Sequence, residues 1–294
     1  MKKPLQLLLG LSLCFTAVYA QPVWKITKDD ASIYLGGTIH VLRAKDFPLP
    51  PEFDTAFAAA TKVYFETDFA RVRSPEMQQI VMEQGTFTDG STLESTLSAS
   101  AWEQVKAYAS SRALPLEQVS RMKPWFLSLM MAVIEMQKLG ISQEGVDAHY
   151  FDRLAREGKT AGELESFEDQ VKFITTMGAG HESEMLQQSI EDLNELPALL
   201  ESMIQTWRQG DMTKLDRVML EDMRTKHPKI YESLLVERNR NWMPRIEALF
   251  RTPEVEFVLV GAAHLAGRDG LLAQLKARGY AIEQLKAPVA AAQN

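Results

Sequence analysis

Two apolar runs at opposite ends of the chain finish in the same pattern, and that echo constrains the fold more than any other feature. Ser32-Ile33-Tyr34-Leu35-Gly36 leads into Gly37-Thr38-Ile39-His40, and Phe257-Val258-Leu259-Val260 leads into Gly261-Ala262-Ala263-His264. Apolar, β-branched runs of this length read as strands. Gly37 and Gly261 are then expected to turn the chain sharply out of each strand, through backbone angles that other residues resist. Three residues later an imidazole projects over the sheet edge, where α/β proteins build their sites. Placed side by side in one sheet, the two runs aim His40 and His264 at one point, and the two ends of the chain meet.

The rest of the chain fits that frame. Val23–Thr27 and Ser32–Leu35 flank a Lys28-Asp29-Asp30 turn and predict a hairpin. Lys62–Glu66 is a further strand, ending in the acids Glu66 and Asp68. Tyr280–Leu285 is a last strand after a helix capped by Gly279. Between the ends the spacing of apolar residues is helical, with an amphipathic segment over 99–111 and further helices over 145–157, 185–208, 211–225 and 229–250. Trp125–Leu139 is apolar on nearly all sides and is expected to be buried. Within this stretch Thr160–Leu164 is short and strand-like. The expected architecture is one α/β domain over 21–294: a central mixed sheet from the N- and C-terminal segments, with a large helical insertion over about 92–250.

The first twenty residues read as an export signal. Lys2 and Lys3 precede an apolar stretch from Leu5 to Val18, and Val18-Tyr19-Ala20 offers small residues for cleavage after Ala20. The single cysteine, Cys14, lies inside that segment. Removing the segment takes two lysines, so the formal charge of −7 becomes −9 (−7 − 2). The expected mature protein is periplasmic or secreted, with no disulfide and no thiol nucleophile. Any metal it holds must use His, Asp or Glu. The acidic balance argues against a nucleic-acid partner, and no later run is long enough for a membrane span.

Two imidazoles and a carboxylate form a common ligand set for divalent metals. Glu66 is positioned to complete it, either as ligand or as a base toward water. A lone histidine is more often satisfied in a core or loop; the matched pair beside Glu66 favours ligation. His149, His181 and His227 fall outside the paired pattern and are expected to be non-ligands. There is no His-Glu-x-x-His, no Gly-x-Ser-x-Gly and no P-loop.

The GGTIH segment, the YFETD strand and the VGAAHLAG segment together resemble the TraB/GumN family, which includes the TIKI proteins. Gly145-Val146-Asp147, Ala155, Gly158-Lys159, Leu164-Glu165-Ser166 with Gln170, and Glu237-Arg238-Asn239 with Trp242 extend the resemblance in order along the chain. It implies a fold related to the TIKI and erythromycin-esterase-like proteins. It also implies a divalent-metal-dependent hydrolase, a metalloprotease in the TIKI case, with His40, Glu66 and His264 as metal ligands. Zinc, manganese and cobalt are not distinguished. Glu165 and Arg238 join Glu66 as catalytic candidates, and Asp147, Gln170 and Asn239 are candidates for substrate binding or support of the ligands. By residue type alone, Asp147 and Glu165 read equally well as helix-start acids, and Arg238 and Asn239 as a solvated helix face. Two rival functions follow from the same resemblance. One is a protein that captures a peptide or haem without cleavage; the other is a metal-independent esterase with a histidine base. The expected partner is a peptide or small-molecule substrate.

Overall fold

The computed structural model describes residues 20–142 and 145–286. The expected signal segment, apart from Ala20, lies outside the described residues. Strands β1 (Ala20–Lys28), β2 (Ala31–Thr38), β4 (Lys62–Phe65), β6 (Thr160–Glu163), β7 (Glu256–Gly261) and β8 (Ala281–Lys286) form one sheet in the order β6-β4-β7-β2-β1-β8. Two short strands, β3 (Leu42–Arg43) and β5 (Ile141–Ser142), pair separately. The sheet is mixed, as expected. β1 runs antiparallel to both β2 and β8, whereas β2, β7, β4 and β6 are mutually parallel.

The two ends of the chain do meet. β2 pairs with β7 in a register that sets Gly37 beside Val260 and Thr38 beside Gly261. β7 is buried along its whole length, which is why it reads as a continuous apolar run rather than an alternating one. The middle of the chain is not a wholly helical insertion. β6 belongs to the sheet, beside β4 at its edge. Its sequence Thr-Ala-Gly-Glu is largely exposed, so it lacks the apolar signature of an inner strand. Gly162 is needed there because a Cβ would press into the Tyr64 ring on the neighbouring strand.

Helices cover both faces. Phe53, Phe57, Tyr150, Leu200, Ile204 and Trp207 pack on one face of the sheet. Trp242, Met243, Ile246, Leu271 and Leu275 pack on the other. A third cluster of helices lies beyond the sheet, around Trp102, Trp125, Phe126 and Met131. The helix Glu182–Arg208 ties it to the sheet. Met185 and Leu186 sit in the helical cluster, while Leu200, Ile204 and Trp207 sit on the sheet. At 1.5 Å per residue this helix spans roughly 40 Å, and it continues through Pro197. Trp207 also donates its indole N–H to the Gly37 carbonyl, 2.6 Å away, fixing the end of β2. Among the described residues no helix is long and apolar enough to cross a membrane.

Candidate metal and hydrolase centre

Four parallel strands end on one edge of the sheet, and each delivers a polar residue there: His40 after β2, Glu66 after β4, Glu165 after β6 and His264 after β7. This is the edge at which open α/β sheets bind ligands. Helix starts supply the rest. Asp147 lies in the first turn of Val146–Leu154, and Arg238 and Asn239 in the first turn of Glu237–Leu249.

Glu66 is the hub. His40 Nε2 is 3.7 Å and His264 Nε2 is 3.9 Å from its Oε1. The Gly261 backbone N–H donates to the same oxygen over 2.7 Å, and Arg238 Nη2 donates to Oε2 over 2.7 Å. Burial opposes ionisation of Glu66. The Arg238 guanidinium, the two imidazoles and the Gly261 N–H together outweigh it and hold the carboxyl well below the usual carboxylate range.

The histidines differ. His40 Nδ1 donates to buried Asp147 over 2.8 Å, which leaves Nε2 facing Glu66. Protein surrounds the His40 ring at longer range, yet 57 % of its side chain is exposed; the open edge is what governs ligand access. Burial lowers its proton affinity, but the charge and hydrogen bond of Asp147, with Glu66 behind, raise it to about 9. His264 is buried, and that burial pushes it down to about 3 despite Glu66. It is a neutral imidazole whose ring lies against Trp242, centroids 4.4 Å apart and tilted by 40°. Its Nδ1 meets Asn239 Oδ1 at 2.7 Å, and its Nε2 accepts from Arg238 Nη1 at 3.2 Å.

Glu165 does not reach the histidines. It grips Arg238 through both oxygens, at 2.7 and 3.1 Å, and accepts the Trp242 indole N–H at 2.9 Å. Gln170 Oε1 lies 3.3 Å from Arg238 Nη2, whose two hydrogens already serve Glu66 and Glu165. The guanidinium also lies over the rings of Trp242 and Phe173.

Gly37 and Gly261 do not turn the chain through unusual angles. Neither has a positive φ, and Gly261 sits at φ −50°, ψ 133°. They supply space instead. A Cβ on Gly261 would stand 3.1 Å from His40 Nε2, 3.2 Å from Glu66 Oε1 and 3.7 Å from His264 Cδ2. A Cβ on Gly37 would meet Leu265 at 3.0 Å and Ala262 at 3.2 Å. Gly145 has the same purpose: a Cβ there would collide with the His40 carbonyl, next to the 3.0 Å bond from Val146 N to Ile39 O.

The other histidines stand elsewhere. His149 packs against Phe47 and Tyr150, and His227 Nε2 meets Gln188 Oε1. His181 also follows a glycine at the Gly-x-x-His spacing, Gly178, but it begins a helix rather than ending a strand. The spacing identifies the centre only in combination with the preceding strand.

The donors suit a divalent ion in chemistry and in spacing. Two imidazole nitrogens and a carboxylate oxygen satisfy zinc, manganese or cobalt alike. Ligand atoms about 2.1 Å from a common ion at a tetrahedral angle lie roughly 3.4 Å apart, a few tenths less than observed here. Asp147 and Asn239 stand where outer partners would orient imidazoles toward a metal. Three carboxylates, Glu66, Asp147 and Glu165, face one permanent cation, Arg238, so added positive charge is favoured. One adjustment is required: Arg238 must yield the His264 lone pair. As the side chains stand, no group of three or more His, Cys, Asp or Glu residues among those described closes around a metal.

Fold and site thus define an α/β protein with a histidine–carboxylate centre at the C-terminal edge of its parallel strands. A family model described as the TraB/PrgY/gumN family matches residues 22–284. The chain belongs to that family. No curated protein and no solved structure matches it.

Sequence reasoning passed over Phe173, Tyr231 and Asp269. Phe173 had a signal: with Phe167 and Gln170 it forms a stripe at helical spacing.

Proposed function

We propose that this protein is an exported, divalent-metal-dependent hydrolase acting on a carbonyl substrate, with a peptide amide as the expected one. The observation that carries the proposal is the convergence of two imidazole Nε2 atoms on one oxygen of Glu66. His40, Glu66 and His264 would hold the ion. A bound divalent ion supplies Lewis acidity toward water and the substrate carbonyl. Glu66, kept ionised by Arg238, is too weak a base to move protons at neutral pH and serves as a ligand. Asp147 and Asn239 keep both Nε2 lone pairs turned inward. Arg238, held by Glu165, presents positive charge where a carbonyl oxygen becomes anionic. The open edge of His40 marks the side from which substrate enters.

A second reading has its own support. His40 backed by Asp147, exposed and strongly basic, is an acid–base pair that needs no metal. Peptide and ester substrates assayed with and without exhaustive chelation separate the two. Loss of activity on chelation and recovery with zinc, manganese or cobalt supports the first. Activity that survives chelation but not His40→Ala supports the second. Activity untouched by His40→Ala combined with His264→Ala overturns both.

A further inference from the structure

We infer that Asn239, clamped by the loop after His264 and by Tyr231, is a positioning residue that locks His264 as the tautomer protonated on Nδ1. The inference rests on the reading of His264 as a ligand, but its test does not require turnover or metal.

The argument is one of counting donors and acceptors. The Asn239 side chain is buried and touches three groups: the His264 carbonyl at 3.2 Å, the Asp269 carbonyl at 3.0 Å and His264 Nδ1 at 2.7 Å. Both carbonyls only accept, so the amide nitrogen must face them, using its two hydrogens. Flipping the amide would put its oxygen against two carbonyl oxygens in a buried site. The oxygen therefore faces Nδ1, and Nδ1 must carry the proton. The lone pair is then on Nε2, directed at Glu66 and Arg238.

Arg238 demands the same tautomer, since a guanidinium has no acceptor. Arg238 has to leave Nε2 before anything else binds there, whereas Asn239 stays. An unconstrained neutral imidazole prefers its proton on Nε2, which would blind the site. Which nitrogen is protonated is set by the bond the other one makes.

The clamp extends outward. The Asp269 carbonyl accepts from Gln274 Nε2 as well, at 2.9 Å, and the Asp269 side chain takes the Tyr231 hydroxyl at 2.9 Å. Tyr231 precedes a π-helical turn, Glu232–Val236, that leads straight into Arg238 and Asn239. The hydroxyl thus joins the segment before Asn239 to the loop that fixes its rotamer.

The test is nitrogen NMR of protein labelled on histidine, in which the tautomer of each ring is read from its two nitrogen shifts. The wild type is expected to show His264 neutral with the proton on Nδ1 across pH 6 to 8, in metal-free protein. Because Arg238 also favours this tautomer in metal-free protein, the variants are compared in an Arg238→Met background. There Asn239→Leu is expected to move His264 toward the Nε2–H form and to weaken zinc binding by about 10–100-fold, and Tyr231→Phe to give a smaller shift in the same direction. His40, bonded to Asp147, should keep its own signal in both variants and report that the sheet edge is intact. If the Leu variant fails to fold, the wild-type spectrum and Tyr231→Phe still decide. Wild-type His264 protonated on Nε2, or an unchanged tautomer when Asn239→Leu is added to a folded Arg238→Met protein, overturns the lock. A confirmed tautomer with no metal affinity in the wild type overturns the metal reading alone.

Discussion

Replacing Gly261 by alanine separates the site from the fold. The backbone at φ −50°, ψ 133° is open to any residue, so alanine pays no conformational penalty. It restricts the unfolded chain and contributes about 0.4–1 kcal/mol in favour of folding. Against this stand contacts of 3.1 Å to His40 Nε2 and 3.2 Å to Glu66 Oε1, a few tenths of an ångström short. Glu66 is fixed by Arg238 and the Gly261 N–H, so the exposed His40 ring must give way. Overpacking of this kind costs about 1–3 kcal/mol, and the two terms leave unfolding free energy within about 3 kcal/mol of wild type. The methyl group, however, fills the space between the three donors. Metal affinity should fall by more than about 100-fold, since even partners outside the ligand set are worth 10–100-fold. Calorimetric titration of metal-stripped protein with zinc and manganese, beside thermal unfolding, measures both quantities. A folded Gly261→Ala that binds either metal as the wild type does would refute the reasoning, because the ion could not then lie between His40, Glu66 and His264.

Four further outcomes are expected. Gly145→Ala forces the His40 backbone away from Asp147; displacements near 1 Å cost about 10²-fold in activity, so hydrolysis by a variant equal to wild type would contradict the assigned contact. Glu165→Ala leaves buried Arg238 with Glu66 alone and should destabilise by roughly 3 kcal/mol, the lower end for breaking a buried pair, as read by urea unfolding. Metal must displace the His40 proton, whose folded pKa of about 9 lies above the usual 6.5. Apparent affinity should therefore rise by up to about tenfold per pH unit up to pH 9, and in metal-free protein the stabilising effect of His40 is complete below pH 6.5 and lost as pH passes 9; flat titrations between pH 6 and 9 would contradict this. Glu52 is buried with neither carboxylate oxygen hydrogen-bonded, and burial raises its pKa. An acid raised on folding loses stability as pH climbs above its unfolded value, so Glu52→Gln should gain about 1 kcal/mol at pH 7 and little at pH 4, by thermal unfolding at both.

The sheet and the candidate residues at its edge were legible because apolar strands announce themselves. β2 and β7 are inner strands, and their shared ending pointed to His40 and His264 without any knowledge of contacts. β6 stayed half-hidden because an edge strand of four residues needs no apolar face. Arg238 and Asn239 looked like a solvated surface within Glu237-Arg238-Asn239-Arg240-Asn241, although the helix held the clue. Its buried residues are Arg238, Asn239, Trp242, Met243, Ile246 and Leu249. Reading the apolar stripe backward by one turn, from Trp242 and Met243, lands on Arg238 and Asn239. They are polar because the stripe overruns the sheet there and meets the carboxylates at its edge. The glycines were found for the wrong reason: a sequence shows that Cβ is absent, not whether φ or space required it.

That distinction bears on how the centre works. Had Gly261 been needed for its backbone angle, alanine would disturb the strand exit and every residue after it. Because it is needed for space, alanine keeps the backbone path of the strand exit and acts on the gap beside it, between His40 and Glu66. The same logic applies to Arg238. Its guanidinium satisfies Glu66 and His264 in metal-free protein, so these buried acceptors are not left unpaired, which would cost several kcal/mol. Arg238→Met removes that occupant along with its positive charge. Metal should then meet less competition at His264 and less repulsion at Glu66, and bind more tightly, while hydrolysis is lost with the group that faces the developing anion. Weaker binding in a folded Arg238→Met would show instead that the arginine organises Glu66 rather than standing in for the ion.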